Sequence, residues 1–405
     1  MKRVTYSILT ICSLICTVGI AQPSVRISAD NFLEAVSTHP DIQAHADQMD
    51  MMDAAIEVAK ISPDPSLTMG NLSGDVSGIR MPHQLFVGVN YTMETGGKRK
   101  QRIRYAKAQR DLAETEHAAF VNEFKRDALL LFQQCWMLEQ QIREANEYRA
   151  DILSINIIDE TLLAKQQLMV LESERVKSEL EGRYAKAVAE LNGLVSHAFG
   201  DQPVLPDGWV WSSEAGVTDK ENSVNLDVAR ASADVLKEEV LLSATDRAPD
   251  LSFTLGNSFI TRATNTEAPS PQYNAITASV TIPLKFSNWN SGQRRISELR
   301  TQQARTQEIA ALTEDDAAWL ITTREINRLA ESYTQLSALI GLEEKFITKI
   351  SKTDFTLRMQ ELSQLSNYKT QRWQVLERIA GHKADLFVRT GVLSTPQPGL
   401  ASGTN

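Results

Sequence analysis

The segment Thr95-Gly96-Gly97-Lys98-Arg99-Lys100-Gln101-Arg102 separates two kinds of hydrophobic periodicity. Apolar and polar residues alternate before it, as in a half-buried β-strand, and follow the period of an α-helix after it. The same change recurs at Asn290-Ser291-Gly292-Gln293-Arg294-Arg295. This recurrence predicts a chain built from two copies of one unit. It places Gly96, Gly97 and Gly292 at strand-helix joints, where glycine gives the backbone freedom to change direction.

Similarity between the two halves extends into the strands that precede each joint. Asp64-Pro65-Ser66-Leu67-Thr68-Met69-Gly70-Asn71 resembles Pro249-Asp250-Leu251-Ser252-Phe253-Thr254-Leu255-Gly256-Asn257. We therefore predict a first structural repeat at 22–200, consisting of a helix, a β-hairpin and a long helical hairpin. A linker at 201–222, a second structural repeat at 223–392 and a flexible tail at 393–405 complete the predicted organisation.

The first 21 residues are typical of a secretory signal peptide. Lys2 and Arg3 precede the apolar run Ile8–Ile20, and Gly19 and Ala21 are the small residues that a signal peptidase needs. Cleavage removes two positive charges and changes the formal net charge from -9 to -11. A secreted chain with this acidic balance is a poor ligand for nucleic acid, which we exclude as a partner.

Alternation with a period of two predicts four β-strands, two before each joint. One face of each strand is apolar, and the other is rich in Ser, Thr, Gly and Asn. The apolar positions are Leu67, Met69, Leu85, Val87, Val89, Tyr91, Met93, Leu251, Phe253, Leu255, Phe259, Ile276, Ala278, Val280 and Ile282.

Long helices are predicted after each hairpin, because no proline occurs between His83 and Gln202 or between Leu284 and Thr395. Apolar or aromatic residues recur there at seven-residue spacing, which is typical of a coiled-coil seam. The two seams consist of Phe124, Leu131 and Leu138 in the first repeat and Tyr333, Ile340 and Ile347 in the second. The first long helix is expected to end near Asp159, and a second must return.

A hairpin of this kind exposes unpaired backbone groups along its edges. A closed barrel removes such edges, but four short strands are too few to enclose a lumen. The pattern therefore favours a barrel assembled from several chains, with the apolar faces toward lipid and the polar faces toward water. A β-sandwich, or a hairpin packed on helices, explains each strand equally well when it is taken alone.

The order of signal peptide, helix, hairpin, glycine-containing joint and helical hairpin, repeated once, resembles the TolC-like outer-membrane efflux proteins. The resemblance covers nearly the whole mature chain and is most specific at Gly96-Gly97-Lys98-Arg99 and Ser291-Gly292-Gln293-Arg294. It implies a mixed α and β membrane protein with an internal duplication. In such a protein each protomer contributes four β-strands to one trimeric outer-membrane barrel, and long antiparallel helices form a coiled-coil tunnel in the periplasm.

The resemblance also implies a function and partners. The expected protein is a homotrimer in outer-membrane lipid that docks a periplasmic adaptor (membrane fusion) protein and an inner-membrane pump. It would be a passive exit duct for heavy-metal cations or small toxic molecules, without enzymatic activity. A soluble periplasmic coiled-coil scaffold or adaptor, without membrane-spanning strands, is the alternative.

The periplasmic tip in this family is the turn between the outgoing and returning helices. We place it at Ala164–Leu168 and Arg358–Ser363, although both lack the glycine that is common there. A ring of amides from Gln364 and Asn367 would constrict the channel, and ordinary solvated helix positions are the other interpretation. The residues predicted for the tip or gate are Lys165, Gln166, Glu172, Arg358, Gln360, Gln364 and Asn367.

Basic residues follow the first joint, at Lys98, Arg99, Lys100, Arg102 and Arg104. At the periplasmic face of a membrane such side chains can bind lipid headgroups or anchor a barrel. They therefore predict the inner edge of the membrane at this joint.

Catalytic and cofactor-binding motifs are not predicted. Gly96-Gly97-Lys98-Arg99 lacks the leading glycine and the Ser or Thr of a phosphate-binding loop. Two of the three cysteines lie in the signal peptide, which leaves Cys135. Its apolar helical neighbours, Leu131 and Leu138, indicate a buried structural thiol.

Metal binding is not predicted either, although His45 and Met49 lie four residues apart and share a helix face. One such pair is not a metal site, and the other histidines show no ligand spacing. We interpret His45 and the neighbouring cluster Met49–Met52 as ordinary packing or surface residues.

Overall fold

A computed structural model describes most of the chain. The predicted signal peptide and tail lie outside the described residues, as does Asn290 of the second joint. The residues described are 24–72, 75–76, 79–80, 82–155, 157, 159–200, 202–211, 223–262, 271–284, 291–350 and 354–390.

Seven helices and eight strands form the described part of the chain. The helices are α1 (Ala29–Ser37), α2 (Pro40–Lys60), α3 (Lys98–Leu153), α4 (Glu160–Phe199), α5 (Val224–Thr245), α6 (Ser291–Lys349) and α7 (Phe355–Thr390). The strands are β1 (Val25–Ile27), β2 (Ser66–Leu72), β3 (Asp75–Val76), β4 (Ile79–Arg80), β5 (Gln84–Met93), β6 (Val204–Pro206), β7 (Leu251–Ile260) and β8 (Tyr273–Thr281). None of these helices has an apolar stretch long enough to cross a bilayer.

Two compact units divide the chain. The first comprises the described residues of Met1–Gln43, Ala119–Val224 and Asp316–Asn405, and the second those of Ala44–Ala118 and Asn225–Asp315. Each unit therefore takes segments from both predicted repeats.

The second unit contains a four-stranded antiparallel sheet in the order β2-β5-β7-β8. The four predicted strands are confirmed, and their register places like faces together. Val89 lies opposite Leu67 on one side and Leu255 on the other, and Leu255 lies opposite Ala278. The apolar positions of all four strands therefore form one continuous face of the sheet.

The first unit has its hydrophobic core among α1, α3, α4, α7 and the two-stranded parallel sheet of β1 and β6. Phe32 of α1 lies against Phe132 of α3, with ring centroids 4.9 Å apart, and both are fully buried. Trp211 and Leu138 are buried in the same core. The seven-residue spacing of Leu131 and Leu138 is thus confirmed as a packing seam of this helix.

A second cluster of the first unit lies where α3, α6 and α7 approach their connecting turns. Ile152, Ile340, Ile347 and Met359 are buried within it, so the second predicted seam is also a packing seam. The turns themselves lie between Leu153 and Glu160 and between Lys349 and Phe355.

The first helix of the chain differs from the sequence prediction. One helix was predicted before the first hairpin, but α1 ends at Ser37 and α2 begins at Pro40. Thr38 caps α1 through its backbone N–H, which donates to the carbonyl of Ala35 at 3.1 Å. Proline favours the first turn of a helix, where its missing N–H costs nothing, so the break precedes it.

Candidate functional site

The apolar face of the four-stranded sheet is exposed to an unusual extent. Ile276 is 82% exposed, Met69 67% and Leu255 63%. Within the described residues β2 and β8 each pair on one side only, so both are edges of this sheet. A soluble protein rarely leaves so large an apolar face and two strand edges open to water.

The opposite face of the sheet is polar and has one aromatic side chain at its centre. Gly88 lies directly opposite Gly256, and the ring of Phe86 covers both glycines. A Cβ atom on either glycine would overlap this ring. Cross-strand hydrogen bonds continue on this face, and Thr254 Oγ1 donates to Asn90 Oδ1 at 2.9 Å.

The first strand-helix joint requires glycine at two consecutive positions. Gly96 has φ 68° and Gly97 has φ 74°, and both lie between the end of β5 and the start of α3. This left-handed region is costly for residues with a Cβ atom. Gly96 also packs against Ala248, where a Cβ atom would overlap that of the alanine.

An ion pair connects this joint to the start of β7. Lys98 Nζ lies 2.7 Å from both carboxylate oxygens of Asp250. The backbone N–H of Thr95 donates to Asp250 Oδ1 at 3.3 Å, and its hydroxyl donates to the carbonyl of Pro249. Only 8% of the Lys98 side chain is exposed.

A second ion pair fixes the other side of the joint. Arg102 binds Glu94 with two N–H groups, at 2.6 and 3.1 Å. The same guanidinium donates to the carbonyls of Ala59 at 3.2 Å and Ile61 at 3.0 Å, at the end of α2. Carboxylates of the same chain therefore bind Lys98 and Arg102, which favours anchoring of the joint over headgroup binding for these two residues. Exposed side chains remain at Arg99, Lys100 and Arg104.

The second joint differs from the first. Gly292 is the second residue of α6 and already has helical conformation. The backbone freedom expected of Gly292 is therefore not used at this residue, while its position at the second joint stays a prediction. The preceding residues, 285–290, lie outside the described part of the chain.

The helical turn of the first repeat lies earlier in the chain than predicted. Lys165, Gln166 and Glu172 belong to α4, which begins after the N-cap Asp159. Asp159 Oδ1 accepts hydrogen bonds from the backbone N–H groups of Thr161 at 2.8 Å and Leu162 at 3.2 Å. A hydrogen bond from the Thr161 hydroxyl, together with these two backbone bonds, lowers the pKa of the Asp159 carboxyl. The assignment of Lys165 and Gln166 to the turn is wrong because this cap starts the helix, and a role of Glu172 near the tip stays a prediction.

Gln166 nevertheless contributes directly to the turn. Its side chain is buried, and Nε2 donates to the carbonyls of Ile152 at 2.7 Å and Ile155 at 3.1 Å. Ile152 belongs to the last turn of α3 and Ile155 follows its end, where helical partners run out. Lys165 and Glu172 are exposed, and Glu172 forms an ion pair with Arg175.

The second helical turn also lies earlier in the chain than predicted. Arg358 and Gln360 lie in α7, after its first residue Phe355, so their assignment to the turn is wrong. Leu357 N donates to Asp354 Oδ1 at 3.2 Å, in the manner of a helix N-cap. Gln364 and Asn367 are exposed on α7, and Gln364 donates to the hydroxyl of Tyr368 at 2.7 Å. Their gating role stays a prediction.

A pair of carboxyl groups that was not predicted from the sequence lies near the second turn. Glu343 of α6 meets Glu361 of α7, and Glu343 Oε1 is buried. The hydrogen bond with Glu361, together with burial, raises the pKa of Glu343 to about 7. The pair is invisible in the sequence because the two residues lie on different helices.

A groove of about 550 Å³ runs between α3, α4 and α7 in the first unit. Six carboxylates and two basic side chains line it, so its charge is mainly negative. Glu172 is the predicted tip residue found there. The ionisable lining residues are Glu144, Glu147, Asp151, Glu172, Glu179, Glu377, Arg183 and Lys369.

Histidines of the chain form two pairs that the sequence did not indicate. His39 and His197 meet edge to face, and His197 Nε2 lies 2.9 Å from the carbonyl of Ala35. His45 of α2 and His117 of α3 approach to 3.4 Å between their Nδ1 atoms. The described residues contain no group of three or more His, Cys, Asp or Glu side chains able to hold a metal ion.

Cys135 is fully buried in the core of the first unit, which confirms the predicted structural thiol. Burial raises the pKa of this thiol to about 12. A thiol with such a pKa is almost entirely protonated near neutral pH and is a poor nucleophile.

No protein family and no curated protein matches the chain in sequence. Solved structures do match it in fold. VceC, an outer membrane protein of Vibrio cholerae, shares 14% identity over 89% of this chain and 95% of that chain, with a TM-score of 0.61. The MtrE outer membrane channel of Neisseria gonorrhoeae, in its open state, shares 11% identity over 91% and 93% of the two chains, with a TM-score of 0.66.

A third structure, the CmeC outer membrane channel of Campylobacter jejuni, shares 11% identity over 89% of this chain and 84% of that chain, with a TM-score of 0.64. Identities this low establish the fold alone. The resemblance read from the sequence is therefore confirmed, and the chain has the fold of the TolC-like outer-membrane channels.

Proposed function

We propose that this protein is the outer-membrane exit duct of a tripartite efflux system. It acts as a homotrimer, and each protomer contributes β2, β5, β7 and β8 to one barrel in the outer membrane. The helices continue this barrel as a tunnel through the periplasm. The chain performs no chemistry, and an inner-membrane pump supplies the energy.

The observation that carries this proposal is the open sheet with one exposed apolar face. Lipid is the solvent that such a face requires, and in lipid every backbone N–H and C=O must find a partner. The free edges of β2 and β8 can pair with those of neighbouring copies, which closes the sheet. The polar face of Ser, Thr, Asn and Gly then lines the water-filled interior.

The groove between α3, α4 and α7 supports the docking of a partner. A periplasmic adaptor that presents a basic helix would match its negative lining. The adaptor would then connect the channel to the inner-membrane pump.

We propose heavy-metal cations or small toxic molecules as the exported substrates. Deletion of the protein should sensitise cells to some compounds in a panel of metal ions, dyes and antibiotics, and an unchanged panel would remove this substrate class.

Two adjacent residues of β8 provide a direct test of the membrane-embedded sheet. Ser279 belongs to the polar face and Val280 to the apolar face, and both are exposed in the single chain. In proteoliposomes, a charged methanethiosulfonate reagent should modify Ser279→Cys and spare Val280→Cys. The buried native Cys135 gives no background.

The outcome separates the channel from a soluble scaffold. After unfolding in denaturant each variant should react at two thiols, Cys135 and the introduced cysteine, against one in the mature wild type, which controls for the presence of the introduced thiol. Equal and rapid reaction of Val280→Cys in the vesicles, or recovery of the protein in the soluble fraction without detergent, would refute the channel.

A further inference from the structure

His45 and His117 bring two imidazole nitrogens together across two helices. Their Nδ1 atoms are 3.4 Å apart, and their ring centroids are 5.4 Å apart at an angle of 37°. Both side chains are half-buried and belong to the second unit. They are separated by 72 residues, so only the packing of α2 on α3 makes them neighbours.

The spacing of the two nitrogens fits a shared metal ion. Zinc binds imidazole nitrogen at about 2.0–2.1 Å with tetrahedral geometry, which places two such ligands roughly 3.3–3.4 Å apart. A direct N–H···N bond would be long at this distance, since most hydrogen bonds to nitrogen donors measure about 2.7–3.2 Å. The pair therefore satisfies the metal distance better than the hydrogen-bond distance.

The other histidine pair does not offer the same arrangement. His39 Nδ1 accepts from the backbone N–H of Asp41 at 3.2 Å, and His197 Nε2 contacts the carbonyl of Ala35. Backbone groups thus already engage a nitrogen on each ring. His45 and His117 approach through their Nδ1 atoms, whereas the rings of His39 and His197 meet edge to face.

We propose that His45 and His117 form a binding site for a borderline transition-metal dication such as Zn²⁺ or Ni²⁺. Imidazole suits these ions, and solvent can complete the coordination because both side chains are partly exposed. The bound ion cross-links α2 to α3 and stabilises the fold by binding the native state only. The site goes beyond the proposed function and does not depend on transport.

Zinc titration of the full-length, detergent-solubilised protein without a histidine tag tests this site. The wild type should bind one Zn²⁺ per chain and unfold at a higher temperature in its presence. His45→Gln and His117→Gln should each weaken binding at least about tenfold, which corresponds to about 1.4 kcal/mol. His83→Gln, in the same unit, should bind like the wild type.

A second variant separates loss of a ligand from loss of structure. His117→Cys replaces imidazole by another zinc ligand and should retain binding that His117→Gln loses. Zinc X-ray absorption of the wild type should show two imidazole ligands. Wild-type protein that binds no zinc, binding unchanged in His117→Gln, or equal weakening in His83→Gln would overturn the proposal.

Discussion

Lys98 Nζ lies 2.7 Å from both oxygens of the Asp250 carboxylate, and this contact joins the end of the first hairpin to the beginning of the second. The lysine is almost entirely buried, so its charge has few other sources of stabilisation. The pair therefore explains why a basic residue directly follows Gly97.

Asp250→Asn should destabilise the protein by roughly 2–3 kcal/mol, below the roughly 3–5 kcal/mol of a fully buried pair, because Asp250 is 30% exposed. The double variant Lys98→Met/Asp250→Asn should recover part of this loss, since it leaves no unpaired charge. Glu57→Gln, which breaks the exposed pair with Lys60, should change stability by less than about 1 kcal/mol. Thermal unfolding at one scan rate compares the stability of these variants with that of the wild type. Equal losses of stability in Asp250→Asn and Glu57→Gln would contradict a stabilising role of the ion pair between Lys98 and Asp250.

The two glycines of the joint should differ in their tolerance of a Cβ atom. Gly97→Ala meets open space and should cost about 1–2 kcal/mol from backbone strain alone. Gly96→Ala has the same strain and also overlaps Ala248, so it should cost more and reduce assembly further. The additional variant Ala248→Gly should rescue Gly96→Ala but not Gly97→Ala. If Gly96→Ala loses the same stability with and without Ala248→Gly, the contact between residues 96 and 248 is unimportant.

Local pattern was sufficient to predict the strands and the long helices. Alternation in 84–93 specifies a face for every residue, and the register confirms it, with Val89 opposite both Leu67 and Leu255. The sequence also indicated that the first joint uses the backbone freedom of glycine, and Gly96 and Gly97 both have positive φ. Partners such as Asp250 for Lys98 could not be predicted, because a distance of 152 residues along the chain leaves no periodic signal.

The position of the helical turns was missed for a different reason. Helix propensity is high throughout the polar stretch around Lys165, so it does not mark a turn there. The N-cap Asp159 and the buried side chain of Gln166 fix the turn earlier in the chain. The predicted end of the first long helix near Asp159 was already close to this turn, and the motif Asp159-Glu160-Thr161 is a recognisable helix start. The Glu343 and Glu361 pair and the His45 and His117 pair depend on helix packing, for which this sequence alone has no signal.

Removal of the Gln166 side chain should destabilise the first helical turn. Gln166→Leu leaves the carbonyls of Ile152 and Ile155 without this donor in a buried environment, at a cost of about 1–3 kcal/mol. Gln167→Leu, at the exposed neighbouring position, should change stability by no more than about 0.5 kcal/mol. Hydrogen exchange should increase at 152–159 only in the first variant. Unchanged protection there would mean that the helix end is satisfied without Gln166.

Thiol counting provides a combined test of the core and the signal peptide. Cys135 is fully buried with a pKa of about 12, so the folded protein should not react with a thiol reagent at pH 8. In denaturant, one thiol per chain is expected if residues 1–21 have been removed, whereas three are expected if they remain. Rapid labelling of the folded protein would contradict the burial of Cys135.

The carboxyl pair of Glu343 and Glu361 should make stability depend on pH in a defined direction. The pKa of Glu343 is about 7 in the folded protein and 4.5 otherwise, so between these values the native state binds more protons than the unfolded state. The stabilisation is therefore complete below about pH 4.5 and is lost as the pH rises through about 7. Thermal unfolding midpoints of the wild type should fall across this window relative to those of Glu343→Gln.

Glu344→Gln is the matched control for this pH dependence. Glu344 forms an ion pair with Lys369 at 3.2 Å and is half exposed, so its replacement should leave the wild-type slope in place. Glu361→Gln should remove the slope as Glu343→Gln does, because either variant removes one of the two carboxyl groups whose contact raises the pKa of Glu343. A slope that persists in both Glu343→Gln and Glu361→Gln would assign the pH dependence to other carboxylates. Its disappearance in both, but not in Glu344→Gln, would assign it to the contact between α6 and α7.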